Sequence, residues 1–190
     1  MNFKRLQIPD VIIIEPQVYN DSRGYFTELY RKDKLNVFLG FTIDFCQVNE
    51  SKSSRGIVRG LHYQTSPYAQ TKLVRVVSGH ILDVVVDLRK DSKTFGQHLS
   101  VELSSDNKKL LLVPKGFAHG FIVLSKHASV IYESDNYYQP EYERGILFND
   151  KFLGIDWRLK TDEIKLSYKD AELALFKDAE FFESSIDLYE

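Results

Sequence analysis

The sequence predicts an all-β fold, a sandwich or barrel of many short strands. Three observations point there. Strand-like runs recur about every ten residues along a chain of 190. Residues that favour turns separate those runs. Aromatic residues make up 13% of the chain, with 13 Phe and 11 Tyr, side chains that suit a pleated, half-buried surface. Many short strands at this spacing are the mark of a sandwich or barrel.

In chain order the runs are DVIIIEP, FTIDFCQV, GIVRGLHY, KLVRVV, HILDVVVDL, HLSVELS, LLLVPKG, HGFIVLS, SVIYESDNYY and GILF. Turn signals fall at Asp21-Ser22-Arg23-Gly24, Ser78-Gly79, Asp106-Asn107 and Pro114-Lys115-Gly116. KLVRVVSGHILDVVVDL reads as a hairpin turning at Ser78-Gly79. Helical periodicity is confined to about residues 26–39 and the tail KDAELALFKDAEFFE. There is no internal repeat, low-complexity tract or linker, so one undivided domain over residues 1–190 is expected.

Bulk properties narrow the function classes. The chain is long enough for one domain with a full core. Its 43% hydrophobic and 27% charged fractions are ordinary for a soluble globular protein. A formal net charge of −2 supplies no global basic field to recruit nucleic acid or a membrane. The single cysteine, Cys46, can form no intrachain disulfide, which fits a reducing compartment. MNFKRLQIPD has no apolar signal region, and ILDVVVDL and LLLV are far too short to span a bilayer. A soluble, cytoplasmic protein is expected.

The chemistries can be tested in turn. A metal site usually needs three or four His, Cys or carboxylate ligands. No H-x-H, C-x-x-C or H-E-x-x-H is present. His80 follows a turn, His127 lies in the expected loop SKHAS, and His98 sits on a strand without a ligand-type neighbour. No metal is expected. Neither a G-x-x-x-x-G-K-[ST] nor a G-x-G-x-x-G loop occurs, so phosphates would have to be held by arginines, with Arg23, Arg55, Arg59 and Arg75 as candidates. There is no G-x-S-x-G elbow, and Cys46 in DFCQV reads as a buried, inert thiol. Acid–base chemistry remains. A histidine titrates near neutrality and works best with a carboxylate that orients it. His62, Lys72, Tyr132 and several carboxylates supply the residue types. Gly60 between Arg59 and His62 can break the strand's alternation, so the residues alone do not say whether those two share a face. His62 stands equally as a catalytic base or a hydrogen-bonded core histidine.

Four segments together carry a resemblance: SRGYFTE (22–28), FCQVNESKSSRGIVRGLHYQTSPYAQTKLVRVVSGHILDVVVDLRKDSKTFG (45–96), VPKGFAHGFIVLS (113–125) and YESDNYYQPEYERGILFND with GIDW (132–157). The chain resembles the dTDP-4-dehydrorhamnose 3,5-epimerases, which are cupins, from about Ile8 to about Leu175. P-x-G-F-A-H-G-F is similar to the second cupin motif, whereas the metal-binding H-x-H of the first is absent. The resemblance implies a double-stranded β-helix, or jelly-roll, barrel with a few short helices. It implies a thymidine-diphospho 4-keto-6-deoxyhexose as substrate, on the route to dTDP-L-rhamnose for cell-surface polysaccharide such as O antigen. It also implies that C3 and C5 beside the C4 ketone are deprotonated and reprotonated from the opposite face. No cofactor is implied, because the ketone already acidifies both neighbouring C–H bonds.

The resemblance also implies residue roles. His62 matches the catalytic base, Tyr132 the general acid and Asp170 the carboxylate that orients the histidine. Lys72 matches the lysine near the sugar ketone, and Arg59 a diphosphate-binding arginine. Gln47 and Asn49 match nucleotide contacts, and Tyr138 the aromatic that stacks on thymine. His119, Glu143 and Lys169 match further substrate contacts. Arg23 and Glu28 match contacts that the family supplies from a neighbouring subunit, which implies a homodimer with residues of about 1–30 packed on the partner. Tyr63 is expected to fill space beside His62, Lys72 and Arg59. Two departures stand out. Glu133 occupies a position where relatives often carry lysine, and the LSYKDAELALF tail lacks the usual proline. Both lie near Tyr132 or Asp170, so epimerisation at one carbon or at both stays open at this point. A 3,4-ketoisomerase of a similar sugar and a nucleotide-sugar-binding cupin without activity are the competing readings.

Overall fold

The central strands of both sheets are buried on both faces, which explains why strands such as HILDVVVD are apolar almost throughout. The structure is a computed structural model that describes residues 1–183 together with 188 and 189. In chain order its strands and main helices are β1 (Asn2–Arg5), β2 (Ile12–Glu15), β3 (Val18–Asp21), β4 (Gly24–Thr27), α1 (Lys32–Leu39), β5 (Gln47–Ser54), β6 (Val58–Gln64), β7 (Lys72–Ser78), β8 (His80–Asp87), β9 (His98–Ser104), β10 (Leu110–Val113), β11 (Phe117–Val123), β12 (His127–Ser134), β13 (Glu143–Gly145) and α2 (Tyr168–Ala171). One sheet has six strands, in the order β1-β2-β10-β7-β12-β5, and the other has five, β13-β6-β11-β8-β9. A separate hairpin, β3-β4, turns at the expected Asp21 to Gly24 signal.

Three apolar layers follow from the alternation of side chains. The inner layer joins both sheets, with Val74, Val76, Leu111 and Val130 from one meeting Ile81, Val85, Phe117 and Phe121 from the other. The outer face of the six-stranded sheet is covered by α1, where Leu35 packs with Ile12, Ile14, Leu73 and Leu112. The outer face of the five-stranded sheet is covered by the chain after β13, through Phe148, Trp157, Phe176 and Phe182 packed on Leu61, Val84 and Ile122. Trp157 donates its indole N–H to the Phe148 carbonyl at 2.8 Å, so its polar atom is satisfied inside that layer.

Five expectations need correction. β7 and β8 are not a hairpin: they pair in different sheets, and the chain crosses between the sheets at Gly79. The crossing demands glycine, since Gly79 has φ +85° and a Cβ there would fall 2.1 Å from the His127 carbonyl oxygen. The tail over residues 169–183 is not one helix. It forms the single turn α2 and a 3₁₀ turn at Phe176–Asp178, because it spreads Phe176 and Phe182 across a sheet instead of stacking a stripe on one groove. Cys46 is exposed, because it precedes β5 on the side opposite the inward-leaning Gln47 and Asn49. His127 opens β12 and is not in a loop. The helix expected near residues 26–39 is confined to Lys32–Leu39 and ends at Gly40, whose φ is +86°.

Gly79→Ala should lower stability in urea by about 2–3 kcal/mol, from left-handed strain plus the carbonyl clash. A loss under about 0.5 kcal/mol would show that the crossing has room for a side chain.

Candidate active site

The sandwich holds a cavity of about 150 Å³ lined from both sheets. From the five-stranded sheet come Arg59 and His62 of β6 and His119 of β11. From the six-stranded sheet come Ser51 of β5, Lys72 of β7 and Tyr132 of β12, while Asp170 arrives on α2.

Arg59 and His62 share this cavity because of Gly60. In the β6–β11 ladder, His62 lies opposite His119 and Arg59 opposite Phe121, so β6 spends one more residue than β11 between the same two rungs. This is a β-bulge, and it restores the inward face three residues along. Gly60 has φ +105°, and a Cβ on it would lie 2.6 Å from the His119 carbonyl oxygen. Leu61 and Tyr63 consequently face the outer apolar layer. Tyr63 therefore does not fill space in the cavity: its hydroxyl donates to the Glu180 carbonyl at 2.8 Å.

His62 Nε2 lies 2.6 Å from Asp170 Oδ1. The approach has an ion-pair distance but lies off the direction of a straight hydrogen bond, so it strengthens as the ring gains charge. It leaves Nδ1 as the ring nitrogen free to take a proton. Asp170 is buried, and burial pushes its carboxyl upward. His62, the Ser167 hydroxyl and the Gly60 N–H together outweigh burial and hold it below the ordinary aspartate range. Ser167 caps α2 reciprocally, donating to Asp170 Oδ2 at 2.7 Å and accepting from the Asp170 N–H at 3.0 Å.

Lys72 keeps some exposure as a residue, but its ammonium is enclosed, and burial pushes it down to about 8 against the pull of Glu143 and Asp83. The ammonium lies 5.8 Å from the centre of the Tyr132 ring. Burial, reinforced by Glu143 and opposed by Arg59, raises the Tyr132 phenol, so its proton is held at neutral pH. His119 Nε2 sits 2.9 Å from Asp83 Oδ1, and Asp83 is fully buried. Arg59 donates its Nε–H to Ser53 Oγ at 3.0 Å.

Beside the cavity lies a second polar group. Gln47 Nε2 donates to Asn49 Oδ1 at 3.0 Å, and Gln47 Oε1 accepts the Tyr138 N–H at 2.9 Å. The Tyr138 hydroxyl donates to Glu143 Oε2 at 2.5 Å, an acceptor that also receives Lys169 Nζ. That bond is the main cause holding the Tyr138 phenol up at about 12. Burial pushes Glu143 upward, but Lys169, Tyr138 and His62 overcome it and leave the carboxyl lowered.

Arg23 and Glu28 stand apart from the cavity within this chain. Arg23 pairs with Asp21 at the exposed tip of the β3–β4 hairpin, and Glu28 pairs with Lys34 at 3.0 Å. Arg55 reaches the Leu124 carbonyl and Glu163, and Arg75 lies on the opposite face of β7 from Lys72. Sequence reasoning missed Asp83, Ser51 and Ser53. Asp83 had a signal, an acidic residue inside the otherwise apolar ILDVVV. Ser51 had none, although its buried hydroxyl has no partner among the described residues. Also among the described residues, no three His, Cys, Asp or Glu side chains group as a metal site, and no helix is long and apolar enough to cross a membrane. A larger apolar groove at Leu147, Phe152 and Phe176 has its one carboxylate, Asp150, consumed by backbone N–H groups.

A cupin-like β-sandwich with an enclosed histidine–carboxylate pair, a protonated tyrosine and a buried lysine defines an acid–base enzyme. Comparison with known proteins gives the family. Residues 5–178 match the family model for dTDP-4-dehydrorhamnose 3,5-epimerase. The enzyme of that name from Shigella flexneri is 47% identical over 96% of this chain and 99% of its own. The crystal structure of the Elizabethkingia anophelis epimerase superposes with a TM-score of 0.91 at 46% identity, over 94% of this chain and 97% of that one. A Legionella pneumophila 3,5-epimerase, solved in complex with dTDP-4-keto-L-rhamnose, does so with a TM-score of 0.90 at 45% identity, over 94% of both chains. This chain belongs to the dTDP-4-dehydrorhamnose 3,5-epimerase family.

Lys72 generates a stability prediction. Its folded value is depressed, so the unfolded chain binds more protons between about pH 8 and about pH 10.5, and stability attributable to this group rises with pH across that window. Lys72→Met should therefore stabilise the protein at pH 7 by up to about 3 kcal/mol, with the gain gone above about pH 10.5. Denaturation of both proteins at pH 7 and pH 10 measures it. A gain that does not change with pH would contradict the enclosed ammonium.

Proposed function

We propose that this cavity epimerises dTDP-4-dehydro-6-deoxy-D-glucose at C3 and C5, giving dTDP-4-dehydro-L-rhamnose, with His62 as base and Tyr132 as acid. One observation carries the assignment. His62 stands on the five-stranded sheet and Tyr132 on the six-stranded sheet, and both line the same cavity. A sugar ring held between them meets a base on one face and an acid on the other.

The chemistry balances without redox. His62 takes the proton from a carbon beside the C4 ketone, and the C–H electron pair moves onto the ketone oxygen as an enolate. Asp170 stabilises the imidazolium that results. The Lys72 ammonium favours the enolate in a dry site, where a charge acts far more strongly than in water. The electron pair then returns to carbon and takes a proton from Tyr132; His62 releases its proton to solvent and Tyr132 regains one from it. The same cycle serves both carbons.

The cavity is small beside the roughly 300 Å³ or more of a typical ligand pocket. It suits the sugar, with the nucleotide lying outside. Arg59 is placed to hold the diphosphate, Gln47 and Asn49 to meet the nucleotide, and half-exposed Tyr138 to stack on thymine. His119, Glu143 and Lys169 would contact the sugar end. The β3–β4 hairpin exposes Tyr19, Tyr25 and Phe26 by 60%, 57% and 70%, an apolar surface that suits a second copy of the chain. In a homodimer it would carry Arg23 and Glu28 to the partner's site. The enzyme would work in the cytoplasm, without metal or cofactor.

Two variants separate the roles. His62→Ala should abolish proton exchange at both carbons, with a loss of at least about a hundredfold. Tyr132→Phe keeps the ring, so it should still exchange substrate hydrogen with solvent while forming little epimer. Epimerisation near the wild-type rate in Tyr132→Phe would remove Tyr132 from the mechanism.

Sedimentation should give a dimer at micromolar concentration, and Arg23→Ala should weaken substrate binding without unfolding the chain. A fully active monomer would refute the shared site.

A further inference from the structure

Gln64 is buried to 3% exposure, two residues beyond His62 on β6, and does not line the cavity. Its amide is fully used. Nε2 donates to the Tyr68 carbonyl at 2.6 Å and to the Tyr137 carbonyl at 3.2 Å. Oε1 accepts the Gln139 N–H at 2.7 Å. Only this orientation of the amide satisfies all three groups, because two are acceptors and one is a donor. The backbone on either side of Tyr138 is thus gripped by one side chain, and the Tyr138 N–H itself goes to Gln47.

The grip also ties two loops together. Tyr68 belongs to the segment that leads into Lys72, and residues 137–139 lead into Glu143. Further bonds run the same way: Gln70 Nε2 donates to the Asn136 carbonyl at 2.9 Å, and Asn136 Nδ2 to the Pro67 carbonyl at 3.1 Å. Those bonds are less buried than the Gln64 amide, so Gln64 is the one whose loss leaves backbone groups unpaired away from water.

We propose that Gln64 is a positioning residue for nucleotide binding: it holds residues 137–139 so that the Tyr138 ring is set for stacking before the nucleotide arrives. This rests on the reading of Tyr138 as the residue that stacks on the base. It places a determinant of affinity inside the barrel, on the strand that carries the catalytic histidine. Preorganisation of this kind acts on binding, and the proton transfers at His62 and Tyr132 do not depend on it.

The test is dTDP binding by calorimetry, with kinetics alongside, for Tyr138→Ala, Gln64→Glu, Gln64→Met and the Tyr138→Ala/Gln64→Glu double variant. Gln64→Glu keeps the shape and the acceptor but removes both donors. Tyr138→Ala should weaken dTDP by about tenfold. Gln64→Glu should weaken it by about tenfold and raise KM, with kcat within about threefold of wild type. The double variant should be no more than about threefold weaker than either single one, because the loop acts through the ring. If Tyr138→Ala binds dTDP as wild type does, the stacking reading falls and the proposal with it. If Tyr138→Ala weakens binding but both Gln64 variants do not, or if the two effects multiply in the double variant, only the positioning role is overturned. If neither Gln64 variant keeps the wild-type circular dichroism and thermal midpoint, Gln64 serves the barrel itself and the proposal fails.

Discussion

One extra residue in β6 organises this protein's chemistry. A regular strand would alternate Arg59 and His62 onto opposite faces, because a spacing of three reverses the side. The bulge at Gly60 turns that odd spacing into an even one. It sends Arg59, His62 and Gln64 inward and Leu61 and Tyr63 outward, so one strand supplies both a polar site and an apolar layer. The freed Gly60 N–H also helps hold the Asp170 carboxyl ionised. The close approach of β6 to β11 requires glycine on both strands, since a Cβ on Gly120 would meet the Arg59 carbonyl at 2.6 Å.

The second constraint is charge in a dry space. The cavity gathers Lys72, Asp83, His119, His62 and Asp170, and an isolated ion there would be very costly. Each has a counterpart: His62 with Asp170, His119 with Asp83, and Lys72 with the fields of Glu143 and Asp83. At Asp83 burial outweighs His119 and raises the carboxyl; on the facing wall the ammonium of Lys72 is depressed and the phenol of Tyr132 is raised. Those two groups sit on the six-stranded sheet, opposite the histidine. The site therefore divides into a carboxylate-backed histidine on one wall and a lysine and a protonated tyrosine on the other.

Much of this was legible in the sequence. The strand spacing gave the all-β class, and the run RGLHYQ with PYAQTKLVR carried the resemblance that the comparisons then bore out. What could not be read were relations between strands. KLVRVVSGHILDVVVDL has every local mark of a hairpin, yet the turn at Gly79 hands the chain from one sheet to the other, and no local pattern distinguishes a crossing from a hairpin. The tail has helical periodicity but is pulled out over a sheet, where tertiary burial overrides propensity. Cys46 in DFCQV looked buried from its apolar neighbours, yet it lies just before β5 on the same exposed side as Val48, which is 67% exposed. Whether Arg59 and His62 share a face was undecidable from spacing alone, and only the ladder register answers it.

The central claim is that the two walls serve opposite faces of one sugar. Its most direct test is to turn over dTDP-4-keto-6-deoxyglucose with the wild-type protein in deuterated water and locate the label by NMR. The account predicts deuterium at both C3 and C5, with inverted configuration at each carbon. Label at C3 alone, or at neither carbon, would contradict it.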